Sequence, residues 1–127
     1  MIALHELNPH KYKTTADIDY NLAILLKRLN IIRKEYGKPM TITSGLRSDA
    51  HQKKLIAQGL SNAKRSNHMT GCACDVKDLD GELKDWILGR IPLLEQVGLW
   101  CEDFDYTPTW VHFQIVPPKS GKRFFIP

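Results

Sequence analysis

The chain has 127 residues, of which 43% are hydrophobic and 25% charged, and its net charge is +4. That length suits one domain, residues 1–127, with one core, and the balance of residue types excludes a disordered chain. No stretch reaches the roughly 20 apolar residues of a membrane-spanning helix.

The first residues, Met1-Ile2-Ala3-Leu4-His5-Glu6, carry neither the basic start nor the apolar run of a signal peptide. Synthesis in the cytoplasm is therefore expected, with release or delivery by some other route. Lys and Arg are scattered, with small groups at Lys53-Lys54, Lys64-Arg65 and Lys122-Arg123. Without a dense basic stripe and stacking aromatics, a nucleic-acid partner is not expected. The three cysteines, Cys72, Cys74 and Cys101, are an odd number, which argues for reduced, buried thiols over a disulfide framework.

The first clear element is a helix over residues 17–36. Ile18, Leu22, Leu25, Leu29, Ile32 and Tyr36 form one apolar stripe at alternating steps of four and three. Thr14 or Thr15 can cap its start, and Gly37 and Pro39 stop it. Residues 40–43 read as a short strand, followed by a Ser44-Gly45 turn. A second helix runs from a cap at Ser48 or Asp49 to residue 58, ending at Gly59. Residues 59–67 are small and polar, a surface loop. A strand at 72–76, a turn at 78–81, short helices at 81–88 and 91–97, and a strand at 110–116 complete the reading. Helices and strands mix without a βαβ rhythm, so the expected class is α+β, a small and mostly antiparallel sheet flanked by helices.

Alternation along the two clearer strands separates their faces. Cys72, Cys74 and Val76 share an apolar face, and Asp75 points the other way beside Ala73. In the last strand, Val111, Phe113 and Ile115 face the core, and Trp110, His112 and Gln114 lie opposite. Each strand thus offers one metal-capable residue on its non-core face. His68 stands seven residues before Asp75, and Gly71 permits a sharp turn that can fold it back beside the carboxylate. Two imidazoles and one carboxylate are a common ligand set for a catalytic zinc, with a fourth position left for water. The Cys72-x-Cys74 pair lacks the CxxC-type turns that wrap a structural zinc, so burial fits it better. His5, His10 and His51 have no partners at metal spacing.

The motif Ser66-x-His68-x-x-Gly71-x-Ala73-x-Asp75, with Trp110-Val111-His112 far downstream, resembles the zinc D-alanyl-D-alanine carboxypeptidases and L-alanyl-D-glutamate endopeptidases, a VanY-like family. These share a fold with the signalling domain of hedgehog. Upstream, Ser44-Gly45-Leu46-Arg47-Ser48 is similar to the family's Ser-Gly-x-Arg-Ser segment. The ending, from Tyr106 through Gln114 to Pro117-Pro118-Lys119-Ser120-Gly121, is similar to compact phage and prophage members.

The resemblance implies a hedgehog/DD-peptidase-like fold and one zinc ion on His68, Asp75 and His112. It also implies a peptidoglycan peptide as substrate, cut as a D,D-carboxypeptidase or an endopeptidase acting on the cell wall. A monomer is expected. Arg47 would steady a substrate oxygen or carboxylate, and Ser66 would bond substrate near the metal. Trp110 and Gln114, on the face of His112, would line the cleft. Many members carry the proton-accepting carboxylate three residues before the last histidine, and here that residue is Thr109, which cannot take the role. Glu102 and Asp105 are the candidates instead, Glu102 first, with Asp103 behind them. The alternative reading, favoured by Thr109, is a zinc-binding domain of the same fold that has lost catalysis and serves as a binding module.

Overall fold

A computed structural model describes residues 1–61 and 66–127. The Lys64-Arg65 pair and the centre of the expected 59–67 loop lie outside the described residues. The elements in chain order are helix α1 (Leu4–Leu7), helix α2 (Ala16–Tyr36), strand β1 (Ile42–Ser44), helix α3 (Asp49–Ala57), a 3-10 turn at Asn67–Thr70 and strand β2 (Ala73–Lys77). They continue with helices α4 (Glu82–Leu88) and α5 (Ile91–Val97), strand β3 (Trp100–Glu102), a 3-10 turn at Phe104–Tyr106, and strands β4 (Trp110–Gln114) and β5 (Phe124–Phe125). The expected α+β architecture is the one observed.

Helix α2 begins and ends for the reasons its sequence supplies. Thr15 Oγ1 accepts from Ile18 N at 3.2 Å, and Gly37 closes the helix at φ 74°, its N–H bonded to Arg33 O. Its stripe of Leu22, Leu25, Leu29 and Ile32 is buried. Removing each of these side chains from water contributes about 1.5–3 kcal/mol.

The sheet runs β1-β2-β4-β3-β5. Every adjacent pair is antiparallel except β3 with β5, which are parallel. Cys74 and Val76 of β2, Cys101 of β3, and Val111 and Phe113 of β4 join the stripe of α2 in one apolar cluster. Leu83 and Ile87 of α4 and Leu94 of α5 also belong to it. By alternation, Asp75, Glu102, His112 and Gln114 leave the sheet on its other face. The three cysteines are free and buried, and burial pushes the thiols of Cys74 and Cys101 up, so both stay protonated.

The observed strands shift by a residue or two from the expected ones, and the last stops at Gln114 rather than at residue 116. Helix α1 and strands β3 and β5 carry no pattern long enough to be read as elements. Among the described residues, no helix is long and apolar enough to cross a membrane.

Candidate metal centre

Strand pairing itself brings two of the three expected ligands together. Asp75 and His112 are direct partners across the antiparallel β2–β4 pair, so both side chains leave the same face. His68 arrives from the 3-10 turn before β2. Ser66 Oγ caps that turn by accepting from His68 N at 3.2 Å, and Gly71 ends it at φ 76°. Glycine is required there twice over. The backbone is left-handed, and a Cβ would stand 2.9 Å from Leu22 Cγ and 3.1 Å from Ile18 O of α2. The turn is also tied to its neighbours by Asn21 Nδ2 donating to Thr70 O (3.0 Å) and Arg47 N donating to His68 O (3.1 Å).

His112 Nδ1 lies 3.0 Å and His68 Nε2 3.4 Å from Asp75 Oδ1. One ligand atom from each residue falls within 4.8 Å of the others, and all three residues are buried. His68 Nδ1 is 3.0 Å from Gly45 O. A carbonyl only accepts, so Nδ1 donates and Nε2 is the ring nitrogen turned toward Asp75. Gly45 has no room for a side chain, since a Cβ would sit 2.3 Å from Leu7 O. The same close approach lets Leu46 N donate to Leu7 O at 2.7 Å. One atom able to ligate a metal from each of the three residues thus converges on one point inside the protein. Two imidazole nitrogens and a carboxylate oxygen suit a divalent ion of the zinc type, so the residues fit the metal that the sequence motif implies.

Burial alone would raise the Asp75 carboxyl, but the hydrogen bonds and charges of His112 and His68 outweigh it and hold the group well below the usual carboxylate range. For His112, burial pulls the imidazole down, and Asp75, then Glu102 and Gln114, more than reverse it, so its pKa is raised. Arg47 occupies the other side of Asp75, with Nη2 3.4 Å from Oδ2. Burial lowers its pKa, and the charges of Asp75 and Glu102 oppose that fall. Arg47 Nε donates to Ser44 Oγ at 3.0 Å and Nη1 to Gln52 Oε1 at 3.2 Å, which fixes the plane of the guanidinium.

Of the carboxylates considered as proton acceptors, Glu102 reaches the cluster, with Oε1 3.5 Å from His112 Nδ1. Asp103 caps the following 3-10 turn by accepting from Asp105 N at 2.9 Å, and Asp105 itself is exposed. Among the described residues, no hydrogen bond or ion pair joins either of them to the histidines. Thr109 is exposed, and its carbonyl accepts from Asp78 N. Trp110 is half-buried at the head of β4 on the face of His112. Gln114 shares that face, but its amide is bonded at both ends, to His112 and to Val116 O. His10 and His51 pack with Tyr12, whose hydroxyl is 3.3 Å from His51 Nδ1, and neither belongs to the ligand cluster. His5 is exposed on α1.

Sequence reasoning missed three supports of the site. The Gly45 carbonyl has no side-chain signal at all. Ser44, at the end of β1, and Gln52 hold Arg47; of the two, Gln52 could have been found from α3, where it follows the cap Ser48 by one helical turn as a polar residue on the inward side.

A helix-flanked sheet with a buried His-Asp-His cluster on its open face defines a protein able to hold a divalent metal ion. Residues 2–91 match the sequence profile described as peptidase M15, and the chain belongs to that family. The matched segment includes Arg47, His68 and Asp75. Among solved structures, the chain is similar to the Serratia marcescens L-Ala D-Glu endopeptidase ChiX, with a TM-score of 0.57 and 23% identity over 91% of this chain and 98% of that one. No curated protein sequence matches it.

Proposed function

We propose that residues 1–127 form one zinc-dependent peptidase domain that hydrolyses an amide bond in peptidoglycan stem peptides or cross-bridges, as an endopeptidase or a D,D-carboxypeptidase. The observation that carries this reading is the buried His68, Asp75 and His112 cluster with Glu102 beside it, in a chain of a peptidase family. The fold it shares with an L-Ala D-Glu endopeptidase supports the same substrate class.

His68 Nε2, Asp75 Oδ1 and His112 Nδ1 would hold the ion. When bound, zinc supplies a Lewis acid that polarises the scissile carbonyl and makes a water acidic enough to attack near neutral pH. Glu102 takes the proton released as the water oxygen adds to the carbonyl carbon. It returns that proton to the amine nitrogen as the C–N bond breaks. Arg47, held in plane by Ser44 and Gln52, faces the negative charge developing on the substrate. The proximity of Glu102 favours this reading over a binding module without catalysis, because it supplies the carboxylate that Thr109 does not.

The test is mass spectrometry of purified peptidoglycan after incubation with the zinc-loaded protein, beside a His68→Ala control. New stem-peptide fragments absent from the control are expected, and their masses name the bond. Unchanged peptidoglycan of several wall types, with zinc bound, would leave the non-catalytic binding module.

A further inference from the structure

The amide of Gln114 has one orientation that satisfies both of its contacts. Its Nε2 donates to Val116 O at 2.7 Å, and its Oε1 lies 2.9 Å from His112 Nε2. A backbone carbonyl only accepts, so the amide nitrogen must face Val116 and the oxygen must face His112. An amide oxygen also only accepts, so the hydrogen of that second contact belongs to His112 Nε2. Gln114 is 4% exposed and is paired on both sides, with Ala73 of β2 and Trp100 of β3. Its main chain is held by a strand on either side, and little of it is exposed.

His112 has a competing place for a hydrogen. Its Nδ1 stands 3.0 Å from Asp75 Oδ1, and a carboxylate is a stronger acceptor than an amide. An imidazole with a single hydrogen and nothing at Nε2 would bond Asp75 through Nδ1, covering the lone pair that faces the cluster. His68 avoids this choice because the Gly45 carbonyl fixes its Nδ1–H. The two histidines are therefore held by their outer nitrogens in the same manner, one by main chain and one by a side chain that mutation can remove.

We propose that Gln114 is a positioning residue that holds His112 in its Nε2–H form, leaving Nδ1 as the nitrogen presented to the metal. The inference rests on the reading of the cluster as a metal centre, and the ligating atom and the affinity are what it determines.

The experiment measures zinc affinity by chelator competition for the wild-type protein, Gln114→Leu and Gln114→Glu. Imidazole 15N spectra of the zinc-loaded proteins are recorded beside it, with metal-free melting curves as a folding control. Gln114→Leu should bind zinc about 10–100-fold more weakly, the usual effect of removing such an outer partner. Gln114→Glu keeps an oxygen facing Nε2–H and should recover most of that loss. Wild-type spectra should show His112 ligating through Nδ1 with a slowly exchanging proton on Nε2, and Gln114→Leu should lose that protection. Wild-type affinity and a protected Nε2–H in folded Gln114→Leu would overturn the inference and leave the metal centre standing. A wild-type protein that binds no zinc would overturn both. Should Gln114→Leu not fold, the wild-type spectrum decides alone, and ligation through Nε2 overturns the inference.

Discussion

Glu102 Oε1 lies 3.5 Å from His112 Nδ1, and of the two side chains the carboxylate is the more open, 21% exposed against 6%. One edge of the cluster thus carries a carboxylate that water can reach, supplied by the strand next to β4. Changing Glu102 to Gln keeps the shape and removes the proposed proton acceptor. We expect turnover to fall by about 10²–10⁴-fold while zinc stays bound. Asp105→Asn should leave turnover near wild type, since Asp105 is exposed on the turn beyond. Rates on a purified stem peptide, read beside metal content, check both. An unimpaired Glu102→Gln enzyme would remove Glu102 from the reaction.

The metal-free protein should respond to pH in a way that the loaded protein does not. The raised pKa of His112 comes against burial and from Asp75, so it contributes stability that is present below the unfolded value of about 6.5. That contribution is lost as pH rises through the folded pKa. The depressed carboxyl of Asp75 contributes stability present above about 3.9, the unfolded value, and lost only as pH falls through its low folded pKa. Protons and metal compete for the same atoms, so metal affinity should rise with pH. The gain in melting temperature on adding zinc should therefore grow from pH 5 to pH 8 in wild type and be absent in His68→Ala. Melting curves at several pH values test this, and a gain that shrinks over that range would contradict it.

These two predictions draw on parts of the molecule that were unequally legible in the sequence. Helix α2 was readable because five apolar steps and two caps agree over its length, and its observed start differs by one residue. Asp75 and His112 were readable because each interrupts an alternating strand on the face away from Cys74 and Phe113. The choice between Glu102 and Asp105 stayed open because β3 has three residues, too few for a period to declare itself. One signal was present all the same: Cys101 belongs in the core, so alternation puts Glu102 on the face of His112. Strand β5, with two residues, and the Gly45 carbonyl left no pattern to read, because pairing partners and main-chain acceptors come from tertiary structure.

Gly45 and Gly71 should be intolerant for different reasons. Gly45→Ala would drive a Cβ to 2.3 Å from Leu7 O, a main-chain atom that cannot swing aside. The segment must shift, carrying away the carbonyl that holds His68. Gly71→Ala meets a left-handed backbone as well as Leu22 Cγ, and the strain should cost about 1–3 kcal/mol. Both variants should melt earlier and bind zinc more weakly. Surface Gly121→Ala, left-handed at φ 69° but with open space around its Cβ, should keep wild-type zinc affinity. Melting curves and chelator competition on all three separate backbone strain from damage to the metal centre.

The C-terminal strand should matter to catalysis although it holds no ligand. Phe125 O accepts from Asp103 N at 2.7 Å and Arg123 O from Cys101 N at 2.9 Å, so β5 fastens the main chain on both sides of Glu102. The Phe125 ring also meets His112 edge-on, with centroids 6.2 Å apart. Phe125→Ala removes the ring and keeps the main-chain bonds. Its expected effect is about 3–5 kcal/mol of stability, the range for a buried aromatic, at the lower end because Phe125 lies at an edge. Ending the chain after Lys122 removes the bonds themselves and frees β3 along that edge. In that variant turnover should fall more than zinc affinity does, because Glu102 loses its anchor while His68, Asp75 and His112 keep theirs. Parallel measurement of kcat and zinc binding on a folded truncated protein decides the point. Equal losses in both would mean that β5 supports the whole sheet rather than the position of Glu102.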